Sequence, residues 1–233
     1  SNIPDDTDLL PLLRSPLIIT GPGFRLHGLG KERADMWIYE KRLEFPINIK
    51  TPDANTAALI ISQYGGPDGE ASASMRYMSQ RYSIGDRQVA GVLTDIATEE
   101  LAHLEMIATM VHQLTRNLTP EHIQNSAFAP YYVDHTLGVW PQAAGGIPFN
   151  ACEFQVKGDP VCDLVEDMAA EQKARVVYDN LLRLIKDPDI VAPLRFLRER
   201  EIVHFQRFGE SLNITTDKLN KKNIYAFNPS VNF

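Results

Sequence analysis

Two apolar seams in this chain are each interrupted by the same pair of residues. Val89, Leu93, Ile96, Glu100, His103, Ile107, Met110 and Leu114 follow alternating steps of four and three. That spacing is the inward seam of a helix in a bundle. A carboxylate and an imidazole stand where leucine is expected, which is costly unless they are paired or bind metal. Three residues apart, Glu100 and His103 point to nearly the same side of the helix. Near the C-terminus Ile190, Leu194, Leu197, Glu201, His204 and Phe208 repeat the alternation, with Glu201 and His204 in the matching seam places. One E-x-x-H arises by chance in many helices; two in the same register are far more specific.

The turns tell how these helices pair. Thr51-Pro52-Asp53 opens a first helical stretch to about Tyr82, with Thr51 as cap and Pro52 at the first helical position. Gly65-Gly66-Pro67-Asp68-Gly69 interrupts it just before Glu70, either as a kink or as a fresh helix start, or to leave room for a small substrate beside Glu70. Ser83-Ile84-Gly85-Asp86 is a turn, and Asp86 caps a second helix to about Arg116. Residues 117–158 lack periodicity and suit a long crossover along a bundle. Asp159-Pro160 caps a third helix with the seam Leu164, Met168, Glu171, Arg175, Tyr178, Leu182 and Ile185; Asp187-Pro188 caps a fourth to about Leu212.

Glu70 and Glu100 are symmetric about residue 85, and Glu171 and Glu201 about residue 186. In an antiparallel helical hairpin, residues equidistant from the turn lie level with each other. Each half therefore places a lone Glu beside an E-x-x-H. Two such hairpins packed together bring four carboxylates and two histidines into one layer, as in dimetal carboxylate bundles. Four carboxylates balance two divalent cations; without metal they repel one another. The expected fold is all-α: a ferritin-like four-helix bundle with one long crossover. The expected organisation is an extended, Pro- and Gly-rich arm over 1–50, the bundle over 51–213 and a C-terminal tail over 214–233.

Other candidates rank lower. Arg175, one turn from Glu171, is placed to pair with the ligand carboxylates. Glu99, Glu105 and Glu199 lie off the seams and read as surface charges. His112 is about 180° around the helix from His103 and reads as solvent-facing. His27, His122 and His135 lie in irregular segments, and Tyr77 and Tyr178 read as core tyrosines.

Composition narrows the function class. A net charge of −7 over 233 residues argues against a nucleic-acid or anionic-membrane surface, and no apolar run approaches a membrane span. The N-terminus, Ser1-Asn2-Ile3-Pro4-Asp5-Asp6, has no basic segment of the signal-peptide kind. Cys152 and Cys162, the only cysteines, suggest no disulfide framework, so a reducing, cytoplasmic setting is expected.

Three stretches, Gly65-Gly66-Pro67-Asp68-Gly69-Glu70, Ile96-Ala97-Thr98-Glu99-Glu100-Leu101-Ala102-His103-Leu104-Glu105-Met106 and Arg200-Glu201-Ile202-Val203-His204, resemble the manganese (non-haem) catalases over roughly residues 36–212. The likeness is closest to the short members associated with spore coats, which also share the opening Met36-Trp37-Ile38-Tyr39-Glu40-Lys41 and the ending Tyr225-Ala226-Phe227-Asn228-Pro229. The resemblance implies disproportionation of hydrogen peroxide to water and dioxygen on two manganese ions. It implies Glu70, Glu100, His103, Glu171 and His204 as ligands, and Glu201 as an outer-sphere proton store rather than the ligand that symmetry alone makes it. It implies a homo-oligomer, hexamer favoured, in the cytoplasm or the spore coat with coat proteins as partners. Where some members have Arg before the third-helix Glu, this chain has Ala170. Imidazole and carboxylate ligands suit iron as well as manganese. That leaves a di-iron oxidase, or a coat protein that binds metal without turnover, as alternatives.

Overall fold

The computed structural model describes residues 42–135 and 138–221, within one compact unit, Lys41–Phe233. Of the expected N-terminal arm only 42–50 is described; the rest of it, with His27, Met36–Lys41 and Tyr225–Pro229, lies outside the described residues. The long elements are helices: α1 (Ala54–Ile60), α2 (Ser62–Gly65), α3 (Glu70–Gln80), α4 (Arg87–Thr115), α5 (Pro120–Gln124), α6 (Ala129–His135), α7 (Pro160–Leu184) and α8 (Pro188–Lys221). The architecture is a ferritin-like four-helix bundle. The broken helix α1–α2–α3 pairs with α4, α7 pairs with α8, and the hairpins join through α4 against α8 and α3 against α7.

Caps fix the boundaries. Asp86 accepts from the amides of Gln88 and Val89, and Asp159 from those of Val161 and Cys162, as the sequence predicts. The first helix differs: its cap is Asp53, which accepts from Asn55 and Thr56, so the helix starts after Thr51-Pro52. The fourth also differs. It runs to Lys221, into the expected tail, because Phe208, Ser211, Thr215 and Leu219 carry the buried stripe onward at helical spacing.

The glycine run is a fresh helix start. Gly69 is the extended N-cap of α3, and Glu70 is its first residue. The space the glycines leave is filled by backbone, not kept open for a substrate. A Cβ on Gly65 would lie 2.3 Å from both Pro141 C and Gln142 N of the crossover. The Gly65 amide also donates to Gln142 O at 3.2 Å. Gly65→Ala must push the crossover off the bundle. It should cost about 2 kcal/mol or more of stability, read as a lowered thermal midpoint, whereas Gly91→Ala, with open space around it, should not.

The apolar core falls into two clusters. Met106, Ile107, Met110, Leu114, Leu194 and Leu197 lead one, which the strap at 42–50 covers with Ile47 and Ile49. Leu93, Ile96, Leu164 and Phe208 lead the other. Between them α4 carries Glu100 and His103, and α8 carries Glu201 and His204. The strap is held by Gln113, whose Oε1 accepts from the Ile49 amide and whose Nε2 donates to Ile47 O, and by Arg116, which donates to Ile49 O. In the crossover Phe128 and Tyr131 pack into the chain's own core, while Val133, Trp140 and Ile147 stay exposed.

Candidate metal centre

The polar layer contains what the midpoint arithmetic asks for. Glu70, Glu100, His103, Glu171, Glu201 and His204 are each at most 2% exposed. α3 delivers Glu70 at its N-terminus, α4 delivers Glu100 and His103, α7 delivers Glu171, and α8 delivers Glu201 and His204. Glu100 stands at the centre. Its Oε2 lies 2.8 Å from His103 Nδ1, and its Oε1 lies 2.7 Å from His204 Nδ1. His103 Nδ1 is also 3.8 Å from Glu70 and 4.0 Å from Glu201, and His204 Nδ1 is 3.7 Å from Glu171. The two imidazoles stack, with centroids 5.6 Å apart.

Two fully buried donor sets emerge among the described residues, each with its ligand atoms within 4.8 Å of one another: Glu70, Glu100, His103 and Glu201, and Glu100, Glu171, Glu201 and His204; a third group, Glu44, Glu99 and His103, is partly exposed. Glu100 and Glu201 belong to both buried sets. Both oxygens of Glu171 and Oε1 of Glu201 are buried without a hydrogen-bond partner. Buried carboxylate oxygens left so are costly, and divalent cations answer that cost. The donor set is hard oxygen with imidazole, which fits manganese or iron.

The metal-free electrostatics show the same strain. Burial, then the Glu100 charge, pushes the Glu70 carboxyl up to about 8. Burial and the charges of Glu100, Glu171 and Glu70 hold Glu201 well above the usual carboxylate range, and burial raises Glu171. Burial opposes the charge on Glu100, but the two histidines outweigh it and hold this carboxyl low. Burial likewise opposes protonation of His204, yet Glu100 and its neighbours push it up to about 11.

The surroundings depart from the sequence reading in three places. The buried stripe of α7 takes Asp167, Ala174 and Leu181 where Met168, Arg175 and Leu182 were expected; both choices share Leu164, Glu171 and Tyr178. Arg175 is turned away as a result. It bonds to Gln172 and Asp179 along its own helix, not to the Glu171 carboxylate. Glu99 is no surface charge. Its side chain is 18% exposed and ion-paired with Arg200, and it lies against both histidines. Glu199 and His112 are exposed, as expected.

The tyrosines prove more than filler. Tyr178, seven residues beyond Glu171, donates to Glu70 Oε1 from the opposite hairpin. Tyr77, seven beyond Glu70, packs on Phe208 with the two rings tilted by 60° and faces Glu171, so the pairing crosses between the halves. The equal spacing was a legible signal, but nothing in either helix alone says that the partner lies across the bundle. Glu44, from the strap, reaches within 3.5 Å of His103 Nε2 and had no sequence signal.

Residues 36–227 match the family model described as manganese containing catalase. Over 190 residues the chain is 50% identical to Protein CotJC of Bacillus subtilis strain 168, covering 82% of this chain and all of that protein. It is 33% identical over 180 residues to a probable manganese catalase of Clostridium acetobutylicum, covering 76% of this chain and 80% of the relative. In solved structures it resembles wild-type KatB, a manganese catalase from Anabaena. The TM-score there is 0.71 at 31% identity, over 80% of this chain and 82% of that one.

Proposed function

Given that the chain belongs to the manganese-containing catalase family, we propose that it disproportionates hydrogen peroxide to water and dioxygen on two manganese ions. The observation that carries this is the pair of overlapping, fully buried donor sets that meet at Glu100. Glu70, Glu100, His103, Glu171 and His204 are the ligands in this reading. The ions would supply two-electron redox chemistry, taken up in one half-reaction and returned in the other. The chain's own part is to hold the ligands in one water-poor layer and to store the protons. Glu201 is suited to storage: it is buried beside three other carboxylates, and in the metal-free layer that surrounding favours its protonated form. Tyr178 holds Glu70 in place through its hydroxyl.

A second reading has one observation behind it. The 50%-identical relative carries the name Protein CotJC, and the sequence likeness to the short spore-coat members supports a coat protein whose bundle binds metal without significant turnover. Oxygen evolution from peroxide by purified protein of measured manganese content separates the two. Sustained evolution at moderate cyanide supports the catalase; a metal-loaded protein that evolves none overturns it. Iron in place of manganese in the active protein would favour the di-iron alternative.

Metal uptake should depend on pH with a defined sign. Glu70, raised to about 8, and His204, raised to about 11, hold protons at neutral pH in the metal-free protein. Ligands must shed them to bind, so uptake releases protons and affinity rises with pH through 8, where Glu70 ionises, and on toward 11 as His204 does. Calorimetric titration with manganese in buffers of differing ionisation enthalpy counts the protons. An affinity independent of pH between 6 and 8 would contradict those raised values.

A homo-oligomer, hexamer favoured, belongs to the same proposal. Val133, Trp140 and Ile147 of the crossover are exposed and apolar, which supports self-association there. Light scattering at micromolar concentration should give a multiple of the 26.2 kDa chain mass; a monomer refutes it. Among the described residues no helix is long and apolar enough to cross a membrane.

A further inference from the structure

The two E-x-x-H motifs are each preceded by a charged residue, Glu99 in α4 and Arg200 in α8. These two residues meet. Arg200 Nε donates to Glu99 Oε1, and its Nη2 donates to Glu99 Oε2 at 3.1 Å. The paired carboxylate lies behind both histidines, on the side away from the metal ligands. Its Oε2 is 3.1 Å from His204 Nε2, and its Oε1 is 3.6 Å from His103 Nε2. Both Nδ1 atoms face Glu100. A carboxylate behind a metal-bound imidazole takes the other ring N–H and fixes the ring's orientation. Here one carboxylate lies within ion-pair distance of both rings, and each Nε2 is buried without a hydrogen bond, so Glu99 is the nearest acceptor common to the two.

We propose that Glu99, anchored by Arg200, is the positioning residue that orients His103 and His204 together, so that the two metal positions are built as one unit. The inference rests on the dimetal reading above. The two ends are not equivalent. His103 Nε2 has a second carboxylate, Glu44 of the strap, at 3.5 Å, and that side chain is 32% exposed. Among the described residues His204 has only Glu99 behind it. Loss of Glu99 therefore disturbs both rings, whereas loss of Glu44 disturbs the His103 ring alone.

The test is a binding isotherm for Mn2+, with free ion read from its six-line paramagnetic resonance signal. The variants are Glu99→Ala, Glu99→Gln, Glu44→Ala and, as a control on an exposed turn of the same helix, Asp95→Ala. Glu99→Ala should weaken both ions, each by about 10- to 100-fold. Glu99→Gln keeps one acceptor oxygen and should weaken one ion more than the other. Glu44→Ala should weaken one ion only, and Asp95→Ala neither. Helical circular dichroism of each metal-free variant shows that the bundle is intact, and Glu99→Gln preserves shape if the alanine variant does not fold. Isotherms of both Glu99 variants within about twofold of wild type overturn the proposal, as does weakening of one ion alone by Glu99→Ala. Failure of the wild-type protein to bind Mn2+ is a different result. It removes the dimetal reading and this inference with it.

Discussion

Glu100→Gln should empty the metal site of both ions. Glu100 faces the Nδ1 atoms of both histidines, with one oxygen 2.8 Å from His103 and the other 2.7 Å from His204. It also belongs to both donor sets. An amide keeps the shape but loses the charge and turns an N–H2 toward one imidazole. Both metal positions lose a charged donor at once, so partial occupancy is not expected. The bundle itself should survive. Glu70 and Glu201 already favour their protonated forms in the metal-free layer, and the apolar clusters on either side are untouched. The measurement is manganese per chain after dialysis, beside helical circular dichroism. A variant that keeps both ions would show that Glu100 is not a shared ligand.

Glu201→Gln is expected to behave in the opposite way: metal retained, activity lost. A cycle that reduces peroxide in one half and oxidises it in the other needs a group that accepts and returns protons. A carboxylate gripped by two cations stays ionised and serves poorly. Glu201 is buried, one turn from His204, with Oε1 unpartnered and, in the metal-free layer, a carboxyl that favours the proton. Removal of such a group should cost about 100-fold or more in turnover while manganese content stays near normal. The geometry also admits Glu201 to both donor sets, so the comparison with Glu100→Gln is decisive. If Glu201→Gln loses metal in parallel, Glu201 is a ligand. If it keeps both metal and turnover, protons are stored elsewhere.

The six residues of the layer were legible without coordinates because helical periodicity is local. Three-residue spacing fixes the relative direction of Glu100 and His103 whatever else the chain does. Equidistance from the turns at 85 and 186 fixes the level of Glu70 and Glu171 once two helices are antiparallel. Asp86 and Asp159 announced their helices because a cap is satisfied within three residues. The start of α1 was misplaced because Thr51 and Asp53 are both good caps and only the path of the strap chooses between them.

Contacts between elements decided the rest. On α7 the residue pairs Met168 and Asp167, Arg175 and Ala174, and Leu182 and Leu181 fit the seam almost equally well. The small rotation that buries Asp167 and Ala174 is set by the helices opposite. That rotation sends Arg175 to Asp179 and leaves Arg200 as the cation paired with the carboxylate behind the histidines. Gly65 reads as a helix breaker in isolation; its missing side chain is needed because crossover backbone lies against it. The pairing of Tyr178 with Glu70, the approach of Glu44 to His103 and the place of Glu99 behind both rings join residues from different elements. No spacing within one helix encodes them, since they depend on how neighbouring helices are turned and on where the strap crosses them.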